Sequence, residues 1–239
     1  IAKDKGAIIK PNIPVIYAVK NEEALKYIRD LAESSEAKPI ELDREIVVVS
    51  QDDEFTYRYK DYELETIILN MLGEHQKENA ALAITALIEL YEQEIITLDF
   101  NKMIDAIESV SWTGRIEQVK ENPLIIIDGA HNNESIEALI DTIKNYYDNE
   151  KMDVLFSAIK GKPVHGMLNK LEEISNHLYF TEFDFPKALT KDELSEQVNL
   201  EHIEFIDDYV SFINNYDGNG LLITGSLYFI SEVKSKTEF

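Results

Sequence analysis

The chain of 239 residues is expected to form an α/β fold in two domains. Three observations carry this expectation. Short apolar runs alternate with amphipathic helical stretches along the whole chain. In the second half those runs are apolar throughout, as in Leu124-Ile125-Ile126-Ile127 and Leu221-Leu222-Ile223, the mark of parallel strands covered on both faces. The length corresponds to between one and two domains at about 150 residues each. The rhythm changes after Trp112, so domains are expected over 1–112 and 113–239.

In the first domain a strand is expected over 13–19. A helix over 22–33 follows, capped by Asn21, with Leu25, Ile28 and Leu31 at helical spacing. Residues 45–49 and 55–59 read as a hairpin around the turn signal Gln51-Asp52-Asp53, and 62–70 as a third strand. An Ala-rich helix over 78–91 has small residues for close packing, and a shorter helix covers 101–110. In the second domain strands are expected at 124–127, 154–157, 178–183 and 221–224. Helices are expected at 133–147, 163–174, 191–197, 207–215 and 227–233.

Composition excludes several functions. Hydrophobic residues are 44% and charged residues 29%, as in ordinary globular proteins. The net charge is −23, which repels nucleic acid and anionic membrane surfaces. The apolar runs are too short to span a bilayer. There is no cysteine, so thiol nucleophiles, disulfides and thiolate metal sites are absent, as fits a reducing compartment. The chain starts Ile-Ala-Lys with no initiator Met and no secretory signal, and is expected to be a piece of a longer protein.

Ligands of open parallel sheets bind where strands end. Three loops qualify. Asp128-Gly129-Ala130-His131-Asn132 follows a strand and opens a helix, a place suited to an anion or a ribose; alternatively Asp128 caps the helix and His131 is an ordinary loop residue. In Thr224-Gly225-Ser226, Ser226 is either a ligand contact or a plain N-cap. Ser157-Ala158-Ile159-Lys160-Gly161-Lys162 offers two lysines that attract an anion or are merely solvated. Upstream, Gly73-Glu74-His75-Gln76-Lys77-Glu78-Asn79 puts Gln76 and Asn79 on one helix face, where amides read a nucleobase edge or satisfy nearby backbone. Arg115 sits at the domain junction, as an ion-pair partner or a clamp on a transferring phosphoryl group. His165, His177 and His202 lack metal-ligand spacing and read as surface or packed residues. No G-x-S-x-G frame surrounds Ser226, and no G-x-G-x-x-G follows a strand.

Five blocks in this order resemble the folylpolyglutamate synthases of the ATP-dependent Mur ligase superfamily. They are Lys3-Asp4-Lys5-Gly6-Ala7-Ile8-Ile9-Lys10, Gly73-Glu74-His75-Gln76 with Asn79-Ala80, Gly114-Arg115-Ile116-Glu117, Ile127-Asp128-Gly129-Ala130-His131-Asn132, and Thr224-Gly225-Ser226-Leu227-Tyr228. The resemblance implies the tail of a central ATP-binding domain over 1–112, then a C-terminal Rossmann-like ligase domain, its mostly parallel sheet covered by helices on both faces. It implies ATP and Mg²⁺ as cofactors. The substrates would be L-glutamate and tetrahydrofolate or its polyglutamates. A folate γ-carboxylate is phosphorylated, and the glutamate amine displaces phosphate from the acyl phosphate. A carboxylate is a poor electrophile, and phosphorylation supplies the leaving group; the protein positions reactants and neutralises charge.

By the same resemblance, Lys5 is the lysine that becomes a magnesium ligand when carbamylated, and His75 lies near the metal. Asn79 faces the nucleotide, Arg115 contacts phosphate and Asp128 the ribose. His131 and Ser226 hold the incoming glutamate or the reacting phosphate; Lys5, His131 and Arg115 are the catalytic set. Departures are Gly6-Ala7 where Ala-Gly is usual, Asn133 where proline is common and Lys187 where arginine is common. No glycine-rich phosphate loop of the G-x-x-G-K-[ST] type is present, so the chain alone is expected to have little ligase activity. Lys160, Lys162, Lys187 and Arg115 are expected to offset the acidic balance around a cleft between the domains. The protein is expected to be cytoplasmic and monomeric. Dihydrofolate synthase, alone or combined with the polyglutamating activity, is the nearest alternative; a non-catalytic Rossmann-like binding module is the other.

Overall fold

The computed structural model describes residues 1–147 and 151–239. The chain divides into two compact units, one of residues 1–70 with 74–111, the other of 71–73 with 112–239. Residues 71–73, placed in the first domain by the sequence, lie with the second unit because Leu72 packs on that unit's core.

In the first unit a short helix α1 (Ala2–Gly6) precedes strand β1 (Val15–Tyr17) and helix α2 (Glu22–Ser34). Asn21 caps α2 by accepting a hydrogen bond from the Ala24 amide at 3.0 Å. Strand β2 (Pro39–Glu41), which the sequence did not signal, pairs in parallel with β1. Strands β3 (Ile46–Gln51), β4 (Glu54–Tyr59) and β5 (Tyr62–Ile68) form an antiparallel sheet in the order β3-β4-β5. Helices α3 (Glu74–Glu92) and α4 (Phe100–Ser109) complete the unit. Phe55, Tyr57 and Ile67 of the sheet pack with Ala81, Ile84 and Ile88 of α3. The small residues of α3 serve as expected, but the helix starts four residues earlier than the apolar pattern shows. Lys77 explains this: its ammonium is buried and donates to the Asp52 carbonyl at 2.7 Å, while it pairs with Glu74 at 2.8 Å. Thus the polar first turn is itself packed onto the β3–β4 turn.

The second unit is built from β6 (Glu117–Lys120), β7 (Leu124–Ile127), α5 (Asn133–Tyr146), β8 (Met152–Phe156), α6 (Val164–Leu171), β9 (Ser175–Phe180), α7 (Lys191–Ser195), β10 (Ile203–Phe205), α8 (Tyr209–Asn214), β11 (Gly220–Thr224) and α9 (Leu227–Lys236). The sheet has the order β10-β9-β8-β11-β7-β6. All pairs are parallel except β6 with β7, which is antiparallel. The sheet is therefore mixed and mostly parallel; β6 and β10 are the strands that the sequence reading left out. Both are short and partly exposed, so neither carries the apolar run that marks the central strands.

Side chains alternate between two cores. Ile126, Val154, Phe156 and Leu222 face α5 and α6, whereas Ile125, Ile127, Leu155 and Ile223 face α8 and α9. Leu222 is fully buried on the central strand β11. Truncating it to alanine removes about 2–5 kcal/mol of stability, read as a lower urea midpoint at unchanged slope. Among the described residues no helix is long and apolar enough to cross a membrane.

Candidate active site

Strands β7 and β11 are neighbours in register, from Gly220 beside Leu124 to Ile223 beside Ile127. The turns that follow them therefore emerge side by side. The Asp128 amide donates to the Ile223 carbonyl at 3.0 Å, which carries the pairing one residue beyond the strands. The Gly129 amide donates to the Gly114 carbonyl at 2.8 Å. Leu227 packs so closely over Gly129 that a Cβ there would lie 2.7 Å from its Cγ. Three turns thus meet at one end of the sheet: Gly114–Ile116, Asp128–His131 and Gly225–Leu227. They carry Arg115, Asp128, His131 and Ser226.

Asp128 is 5% exposed. Its Oδ2 accepts from the Ile116 amide at 2.9 Å and its Oδ1 from the Ala130 amide at 2.7 Å. Burial pushes the carboxyl up to about 6, against the opposing pull of those two amides and of Arg115 and His131. The native state therefore holds this proton more tightly than the unfolded chain. That contribution to stability is complete below the ordinary value of 3.8 and is lost as pH rises through about 6.

His131 is half-buried. Its Nδ1 lies 2.9 Å from the Gly129 carbonyl. A carbonyl only accepts, so Nδ1 carries a proton, and the neutral tautomer that this permits has its lone pair on Nε2. Asn132 caps α5: its side chain accepts from the Ser135 amide at 2.7 Å, and its own amide donates to Ser135 Oγ at 3.1 Å. This reciprocal capping box fixes the turn that presents His131. Replacing Asn132 by alanine lowers stability by about 1 kcal/mol, measurable as a reduced thermal midpoint.

Ser226 occupies the N-cap of α9, yet its side chain accepts no capping hydrogen bond. It is not the plain cap that spacing alone also allowed. Next to it Thr224 Oγ1 is buried with no hydrogen-bond partner. The Thr224 carbonyl accepts from the Ser157 amide at 3.1 Å, and Ser157 Oγ donates to the Thr181 carbonyl at 2.6 Å. The sequence reading included Thr224 in this motif but gave it no role; a hydroxyl closing an otherwise apolar strand was the available signal.

Of the four expected basic groups, two lie together. The Lys160 amide donates to the Lys187 carbonyl at 2.9 Å, and the Lys160 ammonium pairs with Glu193 at 2.7 Å. Arg115 is half-buried on its own turn, and Lys162 is half-buried after Gly161.

Lys5, His75 and Asn79 belong to the first unit. Asn79 is exposed on α3 and donates to Gln76 Oε1 at 3.2 Å; Gln76 Nε2 lies 3.1 Å from His75 Nε2. Gln76 is buried, so the His75-Gln76-Asn79 chain holds the Asn79 amide in place at the start of the helix. Lys5 is exposed on α1. Among the described residues no three His, Cys, Asp or Glu side chains are grouped to hold a metal ion, and His75 Nε2 is engaged by Gln76. These residues do not by themselves fit a resident magnesium ion. His165 and His177 are exposed, paired with Asn169 at 3.2 Å and Asp153 at 2.9 Å, and His202 is exposed as well.

Residues 114–227 match the family model described as Mur ligase, glutamate ligase domain. Over those residues the chain carries a Mur ligase C-terminal domain. The chain is homologous to the folylpolyglutamate and dihydrofolate synthases. It is 37% identical to a dihydrofolate synthase/folylpolyglutamate synthase of Bacillus subtilis, over 99% of this chain and 57% of that protein. It is 25% identical to a folylpolyglutamate synthase of Lacticaseibacillus casei, over 98% of this chain and 56% of that protein. The fold is also that of a Mycobacterium tuberculosis folylpolyglutamate synthase solved with ADP and AMPPCP, with a TM-score of 0.83 at 22% identity, covering 98% of this chain and 58% of that one. The chain thus spans somewhat more than half the length of these relatives.

Proposed function

We propose that the protein is an ATP-dependent amide ligase that adds L-glutamate to the γ-carboxyl of tetrahydrofolate or its polyglutamates through an acyl phosphate. The observation that carries this reading is the meeting of three strand-end turns bearing Arg115, His131 and Ser226. ATP supplies the phosphoryl group that makes the carboxylate an electrophile. Arg115 is the group that meets the nucleotide phosphates, by its charge.

An incoming glutamate arrives as an ammonium ion and must lose a proton before it attacks. His131 is built to take it: Nδ1–H is tied to Gly129, and Nε2 keeps a lone pair. The hydroxyl of Ser226, buried and making no capping hydrogen bond, is the group that donates to a carboxylate of glutamate or to an oxygen of the reacting phosphate. We take the reaction to run in the cytoplasm, in keeping with the cysteine-free composition, and in a monomer.

A second reading is favoured by the double name of the Bacillus relative: the same machinery joins glutamate to dihydropteroate. The discriminating experiment offers the intact enzyme dihydropteroate and tetrahydrofolate separately, with ATP, magnesium and glutamate, and follows ADP release and product mass. Turnover with tetrahydrofolate supports the first reading, and turnover with dihydropteroate the second. If neither acceptor is consumed and neither ATP nor glutamate binds, the chain is a binding module and the ligase reading fails.

A further inference from the structure

The end of the second unit's sheet opposite to the candidate active site holds a cavity of about 330 Å³. Met152 and Gly220, the first residues of β8 and β11, line it, with Tyr146 and Tyr147 from the end of α5, Lys151 and Asn219. It lies about 13 Å along β11 from Thr224, at about 3.3 Å per residue. Its walls are held in place. The Met152 amide donates to the Ile174 carbonyl at 2.9 Å, and Asn176 donates to the Lys151 carbonyl at 2.7 Å. The Tyr216 hydroxyl lies 2.7 Å from the Gly220 carbonyl and 2.9 Å from the Asp153 carboxylate, which ties the start of β11 to β8.

The lining is specific in its chemistry. In a chain of net charge −23, no carboxylate side chain is among the residues that line this cavity. Among the described residues the Lys151 ammonium pairs with no carboxylate, and the Asn219 side-chain amide makes no hydrogen bond. Burial pushes the Tyr147 phenol up, so it stays neutral and keeps its proton to donate. The end of α5 opposes an anion with about half a negative charge, but the whole charge of Lys151 outweighs it. Tyrosine rings and a thioether give a flat ring its contact area, and an ammionium and an amide supply donors for a carboxylate. Apolar walls with a few convergent polar groups are the ordinary make-up of a small-molecule site.

We propose that this cavity is a second ligand site, for a flat aromatic carboxylate, whose ring lies against Tyr146, Tyr147 and Met152 and whose carboxylate accepts from Lys151 and Asn219. The proposal needs nothing of the ligase reading. Its test uses 2-naphthoate and the neutral 2-naphthamide as probes on the intact protein, with the Met152 methyl resonance as the readout. Naphthoate should shift that resonance saturably, with half-saturation below about 1 mM. Lys151→Met keeps the stem and removes the charge at an exposed position, so it should weaken naphthoate about threefold to fivefold and leave naphthamide unchanged. Gly220→Ala would set a Cβ 3.0 Å from Met152 Cε and should weaken both probes; should that variant fail to fold, Lys151→Met still decides. Ser226→Ala, at the far end of the sheet, should leave the titration as it was. No saturable Met152 shift by about 10 mM naphthoate overturns the site. Equal naphthoate binding by the parent and Lys151→Met overturns the carboxylate class, and weakened binding in Ser226→Ala moves the ligand to the candidate active site and overturns the proposal.

Discussion

Replacing His131 by alanine lowers glutamate-dependent turnover of the intact enzyme by about 10²- to 10⁴-fold, the range lost when a positioned general base is removed. The chemistry behind the number is specific. At neutral pH the glutamate amine is an ammonium ion with no lone pair, and the ring that would relieve it of a proton is fixed by one hydrogen bond from Nδ1 to the Gly129 carbonyl. Alanine deletes the acceptor but leaves the capping box of Asn132 and Ser135 intact, so the thermal midpoint should move little. Addition of hydroxylamine, which needs no deprotonation to attack an acyl phosphate, should restore much of the ATP turnover. A variant with near-parental turnover would remove His131 from the mechanism.

The second large effect concerns stability. Gly225→Ala should cost about 3 kcal/mol or more, because two penalties of about 1–3 kcal/mol each coincide. Gly225 has φ 111, a backbone open to glycine and strained for any residue with a Cβ. That Cβ would also overlap the Ser157 carbonyl oxygen and stand 2.6 Å from the Phe156 ring. Neither partner can yield: Phe156 is fully buried, and Ser157 is pinned by hydrogen bonds to Thr224 and Thr181. Chemical denaturation of Gly225→Ala against the parent measures the loss, and a change below about 0.5 kcal/mol would show that the turn rearranges freely. Since Ser226 follows directly, a surviving variant should bind glutamate poorly as well.

The central strands were legible because their side chains are apolar on both faces; Ile125, Ile126 and Ile127 alternate between two cores and leave no polar position to confuse the period. Strands β2, β6 and β10 were not, since each is a few residues long and partly polar, below the length at which alternation is visible. The start of α3 was hidden for another reason. Its first turn is polar, and the tertiary contact of Lys77 with the Asp52 carbonyl, distant in sequence, secures it. At the site, the loops after β7 and β11 were found by the rule that ligands gather where parallel strands end. What spacing could not give was the state of each group: that Ser226 makes no capping hydrogen bond, that Thr224 Oγ1 has no partner, and that both oxygens of Asp128 accept backbone amides. Those follow from which atoms approach one another once the sheet has formed.

The order of the second unit's sheet also bears on solubility at high concentration. Its two outer strands, β10 and β6, are three and four residues long, and β6 carries Glu117 and Lys120. An incoming chain finds little unpaired backbone to add to and meets charge where it tries, which is how natural proteins discourage cross-chain strand addition. The aliphatic strands that would aggregate most readily sit in the middle, so assembly into fibrils would first require β6 or β10 to peel away from its neighbour.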